Sequence, residues 1–227
     1  MHKYRLIQKL SVTVIVIVLV LVLLKRKDMT WRHSLLKTFY PIIMLPGKLF
    51  GKASGALQNK NHMQPISSFY QLHVTMNNGT VVPMDSFKGK KVLLVNTASD
   101  CGYTGQYAEL EALYKQYKDK GLVIIGFPAN DFKQQEQRDD AAIAEFCKVN
   151  YGVTFLLAKK SSVIKSAEQN PVFQWLSNAK LNGWNDQEPT WNFCKYIVGE
   201  DGVLEAFFPQ GISPMDDNLL KILSTHH

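Results

Sequence analysis

Three cysteines, Cys101, Cys147 and Cys194, are the side chains of this 227-residue chain best suited to covalent chemistry. The first has the most telling setting. It lies in VLLVNTASDCGYTGQY, residues 92–107, where an apolar run gives way to a polar loop and then to helical spacing. A thiol between the carboxyl end of a parallel strand and a helix N-terminus occupies the place where open α/β sheets bind ligands, and the helix dipole there favours an anion. Such a thiol is expected to lose its proton readily. The competing reading is an inert buried cysteine that packs as a small hydrophobe. A disulfide exchanger would place a second cysteine three residues on, but residues 101–104 read Cys-Gly-Tyr-Thr. The histidines are His2, His33, His62, His73, His226 and His227, none at ligand spacing with a cysteine, so no metal and no cofactor are expected. Attack on an O–O bond needs less: one activated thiolate, a sulfenic acid product and donors for the departing oxygen.

The elements around Cys101 can be read from periodicity. FYQLHVTMNNGTVVPM alternates about Asn78-Gly79, a dipeptide suited to a tight hairpin. VLLVN, a helix over residues 104–118 and GLVIIGFP over 121–128 make a βαβ unit, with Tyr107, Leu110, Leu113, Tyr114 and Tyr117 at helical spacing. AAIAEFCKVNY predicts a second helix and NPVFQWLSNAK a third. CKYIVGEDGVLEAFF predicts a hairpin turning at Asp201-Gly202, and SPMDDNLLKIL a closing helix with Ser213 as its cap. Strands alternating with helices, followed by an antiparallel hairpin, predict an α/β domain with a mixed central sheet flanked by helices.

Four motifs in order, NTASDCGYTGQYAELEALYKQYKDKGLVIIGFPANDF, QQE, FCKVNYGVTF and WNFCKYIVGEDG, resemble the glutathione peroxidase family over residues 69–224. The resemblance implies a thioredoxin-like fold and reduction of hydrogen peroxide and organic hydroperoxides with electrons from thiols. It matches the family's reactive residue to Cys101, its glutamine to Gln135, and its tryptophan and asparagine to Trp191 and Asn192. An indole N–H and two amides are uncharged donors able to hold a thiolate and then a leaving oxygen. Taken singly, Trp191 reads as a core aromatic, and Gln135 and Asn192 as loop polar groups.

Cys147 shares a helix face with Ile143, Phe146 and Tyr151, the pattern of a packed apolar thiol. The resemblance adds a second reading, because many cysteine-based members place a resolving cysteine in this segment and close a transient disulfide for thioredoxin to reduce. Cys194 falls where the family commonly has threonine and reads as structural. The family's frequent FPCNQFG is FPANDFK here, with Ala129, Asp131 and Lys133 as departures, and Gln137 replaces a usual proline. The expected reductant is thioredoxin or glutathione, with the resemblance pointing toward the thioredoxin-dependent branch, and a monomer is expected. A peroxiredoxin-like enzyme is an alternative, although the Pro and Thr that usually precede its cysteine are missing. A catalytically silent binding module on a membrane tether is another.

Charge divides the chain. Residues 1–68 hold eleven Lys and Arg against one acid, and residues 69–227 hold fifteen against eighteen, giving +10 and −3. Residues 10–24 are uncharged and apolar and are closed by Lys25, Arg26 and Lys27. At fifteen residues the run is shorter than the roughly 20 of a comfortable span, but KRKD stands where a small-residue cleavage site would be. Residues 1–28 therefore read as a membrane anchor or uncleaved signal. Residues 29–68 read as a basic juxtamembrane segment and linker, and 69–227 as the peroxidase domain. Residues 29–52 mix Trp31, Phe39 and Tyr40 with basic side chains, which suits the headgroup zone of a bilayer. Lipid is a simpler partner for these charges than nucleic acid, which is not expected. Lys3, Arg5 and Lys9 before the apolar run are outnumbered by Lys25, Arg26, Lys27, Arg32 and Lys37 after it, favouring a domain that faces the cytoplasm.

Overall fold

A computed structural model describes residues 55–225 together with Tyr40 and Met44. Its centre is a six-stranded sheet in the order β1-β8-β7-β4-β5-β6. Strand β4 (Lys91–Thr97) is flanked by β5 (Leu122–Pro128) in parallel and by β7 (Lys195–Val198) antiparallel. Strand β6 (Leu156–Leu157) extends the parallel side, while β8 (Leu204–Phe208) and β1 (Leu57–Gln58) extend the antiparallel side. The hairpin expected about Asn78-Gly79 forms as a separate two-stranded sheet, β2 (His73–Thr75) and β3 (Val81–Pro83).

Every residue of β4 is buried, as a central strand covered on both faces must be. Leu93 and Val95 meet Tyr107, Leu110 and Leu113 of α1 (Gln106–Tyr117), Ile143 and Phe146 of α2 (Asp140–Tyr151), and Leu219 and Leu223 of α5 (Asp217–Ser224). Val92 and Leu94 face the other way, toward Phe69, Val74 and the Val172, Phe173, Trp175 and Leu176 side chains of α3 (Pro171–Leu176). The sheet is thus packed between two helical layers, the thioredoxin-like arrangement expected of the sequence.

Several boundaries differ from the sequence reading. Residues 55–68 were expected as linker, yet Leu57 and Gln58 pair with Phe207 and Ala206, and Ser67 accepts the Trp175 indole N–H at 2.7 Å. A two-residue edge strand carries too little periodicity to be seen in sequence. NPVFQWLSNAK is broken at Ser177, whose hydroxyl donates to the Phe173 carbonyl, and Asn178 caps the short helix α4 (Ala179–Asn182) that follows. Asp216, not Ser213, caps α5 by accepting from Asn218 N–H. Ser213 instead donates to Glu109 at 2.8 Å. The Asp201-Gly202 turn is present, with Gly202 at φ 83°, where the Tyr70 ring leaves no room for a Cβ.

The apolar run at residues 10–24 lies outside the described residues. Among the described residues no helix is long and apolar enough to cross a membrane. Tyr40, expected in a headgroup zone, is 8% exposed and packs on the protein: its ring lies against Gly105 and its hydroxyl donates to Glu109 at 2.6 Å.

Candidate active site

Cys101 follows β4 by four residues and is fully buried. Its loop is held mainly by the segment 135–138. The Gln135 carbonyl accepts from Asp100 N–H at 3.0 Å, Glu136 Oε2 accepts from both N–H and Oγ of Ser99 at 2.7 Å, and Arg138 pairs with Asp100 at 2.9 Å. On the other side Thr104 donates N–H and hydroxyl to the Cys101 carbonyl. Thr104, expected as the first helical residue, is therefore spent on the loop, and α1 begins at Gln106.

The sulfur is surrounded by donors. Tyr103 N–H reaches Sγ at 3.4 Å, and the Trp191 and Asn192 side chains and the Gly102 N–H also act on it. Burial nevertheless pushes the thiol above its ordinary range, and these donors oppose the shift without reversing it. The expectation that the helix terminus would leave Cys101 readily ionised is corrected: Gln106 lies five positions further on, the dipole fades over about one turn, and desolvation wins.

Gln135 enters through Asn192, whose Nδ2 donates to Gln135 Oε1 at 3.0 Å. Trp191 is gripped by the loop before Gln135, with the Phe132 ring centroid 5.8 Å away and Lys133 Nζ 5.5 Å above the indole. Lys133 stands where the resembling family has glycine, and it takes the left-handed φ of 50° that glycine favours, as does Gln134 at 52°.

Two contributors escaped the sequence reading although both stand in quoted motifs. Asn96 of β4 donates from Nδ2 to the Trp191 carbonyl at 2.9 Å and accepts from Cys194 N–H at 2.9 Å, setting the course of the chain through Asn192 and Phe193. Its signal was a polar residue in the otherwise apolar run VLLVN. Glu136 is fully buried beside Gln135, and an acid after two glutamines gives no sign of burial.

Cys147 lies on α2, 1% exposed, in the same buried cluster as Cys101, and the two are free thiols. Burial pushes its pKa up to about 12. Cys194 is buried on the opposite face of the sheet, where its Sγ approaches Gln210 Oε1 at 3.6 Å. Among the described residues no group of three His, Cys, Asp or Glu side chains could hold a metal ion.

A thioredoxin-like sheet that presents one buried thiol to several neutral donors defines a thiol-dependent oxidoreductase. The family model for glutathione peroxidase matches residues 69–177. The chain is 45% identical over 161 residues to the glutathione peroxidase-like peroxiredoxin HYR1 of Saccharomyces cerevisiae, covering 69% of this chain and 98% of that protein. It is 41% identical over 158 residues to a glutathione peroxidase of Lactococcus lactis, covering 69% and 99%. The solved structure of Trgpx in apo form superposes with a TM-score of 0.55 at 29% identity, covering 71% and 98%. The chain belongs to the glutathione peroxidase family and is a peroxide-reducing thiol peroxidase.

Proposed function

We propose that Cys101 is the peroxidatic nucleophile of this enzyme, with Trp191, Asn192 and Gln135 as its polar surround and Cys147 as the resolving thiol. The convergence of Tyr103 N–H, Trp191 and Asn192 on a buried sulfur carries the reading. The Cys101 thiolate attacks one peroxide oxygen, an S–O bond forms, and the O–O bond breaks. The departing hydroxide or alkoxide leaves as water or alcohol after gaining a proton, and neutral donors fixed in a dry site stabilise the charge as it develops. A silent binding module would have no use for such an array around a thiol.

The sulfenic acid is then attacked by Cys147, giving a Cys101–Cys147 disulfide and water, and thioredoxin reduces the disulfide. A second thiol in the same buried cluster supports this route over direct attack by glutathione. Cys147 is buried on α2, and if the two sulfurs start too far apart for a disulfide, that helix moves locally for them to meet. The domain is anchored to a membrane through residues 10–24, on its cytoplasmic side, where thioredoxin is available; the basic flanks support this orientation.

The test is peroxide consumption with thioredoxin and its reductase, in parallel with glutathione and its reductase. Cys101→Ser should lose essentially all turnover, because a serine hydroxyl is not ionised near neutral pH. Peroxide treatment should produce a Cys101–Cys147 disulfide visible by mass spectrometry. Substantial activity in Cys101→Ser removes that residue from the mechanism. A Cys147 that stays alkylatable throughout favours glutathione.

A further inference from the structure

Lys133 brings an uncompensated positive charge to the rim of the active site. The loop that carries it is fixed on both sides. Asp131 accepts from the Ser162 hydroxyl at 2.9 Å and from Val163 N–H at 2.8 Å, and Glu136 N–H donates to Asn130 Oδ1 at 3.0 Å. Between these anchors Lys133 and Gln134 hold the left-handed φ, which persists in residues with side chains where the surroundings impose it. The Gln135 carbonyl accepts at 3.0 Å from the N–H of Asp100, the residue before Cys101, so the two loops are in direct contact. Lys133 is exposed, and its Nζ stands 5.5 Å from the centre of the Trp191 ring. An ammonium has three donors, and one that rests on an indole face keeps donors for an anion. Among the described residues Lys133 has no ion-pair partner. The acids nearest in the chain are engaged elsewhere, Asp131 with Ser162 and Val163, and Asp100 with Arg138 at 2.9 Å. Cys101 and Asn192 are buried, whereas Trp191, Tyr103 and Gly102, the other groups that act on the sulfur, are partly exposed. A hydroperoxide arriving from solvent reaches the thiol past these groups, and Lys133 overhangs the indole.

We propose that Lys133 sets the substrate preference of the enzyme by receiving a carboxylate carried on an organic hydroperoxide. This rests on the reading of Cys101 as the nucleophile. The Cys101 thiolate attacks the terminal peroxide oxygen, the S–O bond forms and the O–O bond breaks. The alkoxide that departs gains a proton and leaves as a hydroxy acid, while Cys101 is left as the sulfenic acid. The ammonium holds the remote carboxylate before and during this exchange, so it raises kcat/KM without altering the step at sulfur. Lys133 is not among the groups that act on the Cys101 thiol, which leaves its charge for the substrate. A singly charged carboxylate suits the site better than a phosphate, because the other cations of these loops are taken. Arg138 is paired with Asp100, and the Lys160 ammonium donates to the Arg138 carbonyl.

The experiment compares cumene hydroperoxide bearing a para carboxylate with its methyl ester, two substrates of one skeleton that differ in charge. Full-length protein is reduced beforehand, freed of reductant and mixed with each. The alcohol formed in a single turnover gives the rate of attack, so the charge of thioredoxin or glutathione does not enter. At low salt the acid-to-ester rate ratio of wild type should exceed that of Lys133→Met by about three- to fivefold, the upper end for one exposed charge pair. Lys133→Arg should keep most of the wild-type ratio, and Lys133→Glu should fall below Lys133→Met. Raising the ionic strength from about 0.01 M to about 1 M cuts the screening length from about 30 Å to about 3 Å, and should bring wild type to the Lys133→Met ratio. A lysine that only steadied Trp191 would change both rates together and leave their ratio alone. The proposal is therefore overturned if the Lys133→Met ratio lies within about 1.5-fold of wild type at low salt, a difference at the floor of exposed pairs. It is equally overturned if salt leaves the wild-type ratio unmoved. Cys101→Ser is run alongside. If that variant forms alcohol as fast as wild type, the nucleophile reading fails and the substrate assignment with it. If it is inactive while wild type and Lys133→Met share one ratio, the assignment of Lys133 alone falls.

Discussion

Desolvation and hydrogen bonding pull the Cys101 thiol in opposite directions, and the balance leaves it protonated more than a free cysteine would be. The donors gain value when charge appears, because a hydrogen bond to an ionised group is worth about 1.5–3 kcal/mol, roughly twice a neutral one. They therefore favour the reacting thiolate and the leaving oxygen over the resting thiol. Lys195 presents the same conflict with the opposite sign. It is fully buried two residues after Phe193, its ammonium donates to the Ile212 carbonyl, and burial lowers its pKa to about 7. In the unfolded chain a lysine titrates at about 10.4, so between these values the unfolded state binds more protons and stability rises with pH. The penalty is complete below the folded value and fades toward the unfolded one. Lys195→Met should accordingly raise the melting temperature more at about pH 6 than at about pH 10, as scanning calorimetry at the two pH values would reveal. Equal gains at both would refute the burial penalty.

At the scale of elements, α1 carries the Cys101 loop at its N-terminus, and a residue sixty-five positions upstream presses on that junction. A Cβ at Gly105 would stand 2.2 Å from Cγ of Tyr40, closer than side chains approach, although the backbone there is an ordinary φ −56°. Gly105 is required for this close approach and not for its conformational freedom. Gly105→Ala should destabilise the full chain by about 1–3 kcal/mol through overpacking. Beside Tyr40→Ala the same change should be neutral or stabilise by up to about 1 kcal/mol, since alanine suits helical backbone better. A double-mutant cycle by urea unfolding measures the difference, and additive effects would mean that Tyr40 does not rest on Gly105.

For the whole molecule, the contact of Tyr40 shortens the leash to any membrane anchor. Tyr40 lies sixteen residues after Leu24, so at about 3.5 Å each the α1 terminus and its Cys101 loop could stand no more than about 55 Å from the end of the apolar run. With the anchor in a bilayer and the domain inside the cell, a C-terminal alkaline phosphatase fusion expressed in a bacterial host should be inactive, because that reporter works only after export. Strong phosphatase activity from the full-length fusion would overturn the cytoplasmic orientation.

The sequence by itself determined the class of the fold, because strand and helix periods are local and the runs VLLVN and GLVIIGFP with a helix between them admit few arrangements. Motif resemblance also singled out Cys101, Gln135, Trp191 and Asn192, the residues that the fold gathers at one end of β4. What depended on long-range contact was invisible until the chain was folded: the pairing of Leu57–Gln58 with β8, the hold of Asn96 on Trp191, the burial of Glu136 and the seat of Tyr40 on Gly105. The sign of the Cys101 shift belongs with these, since burial is the sum of everything packed around the sulfur. A helix start can be read from a dozen neighbouring letters, but desolvation cannot.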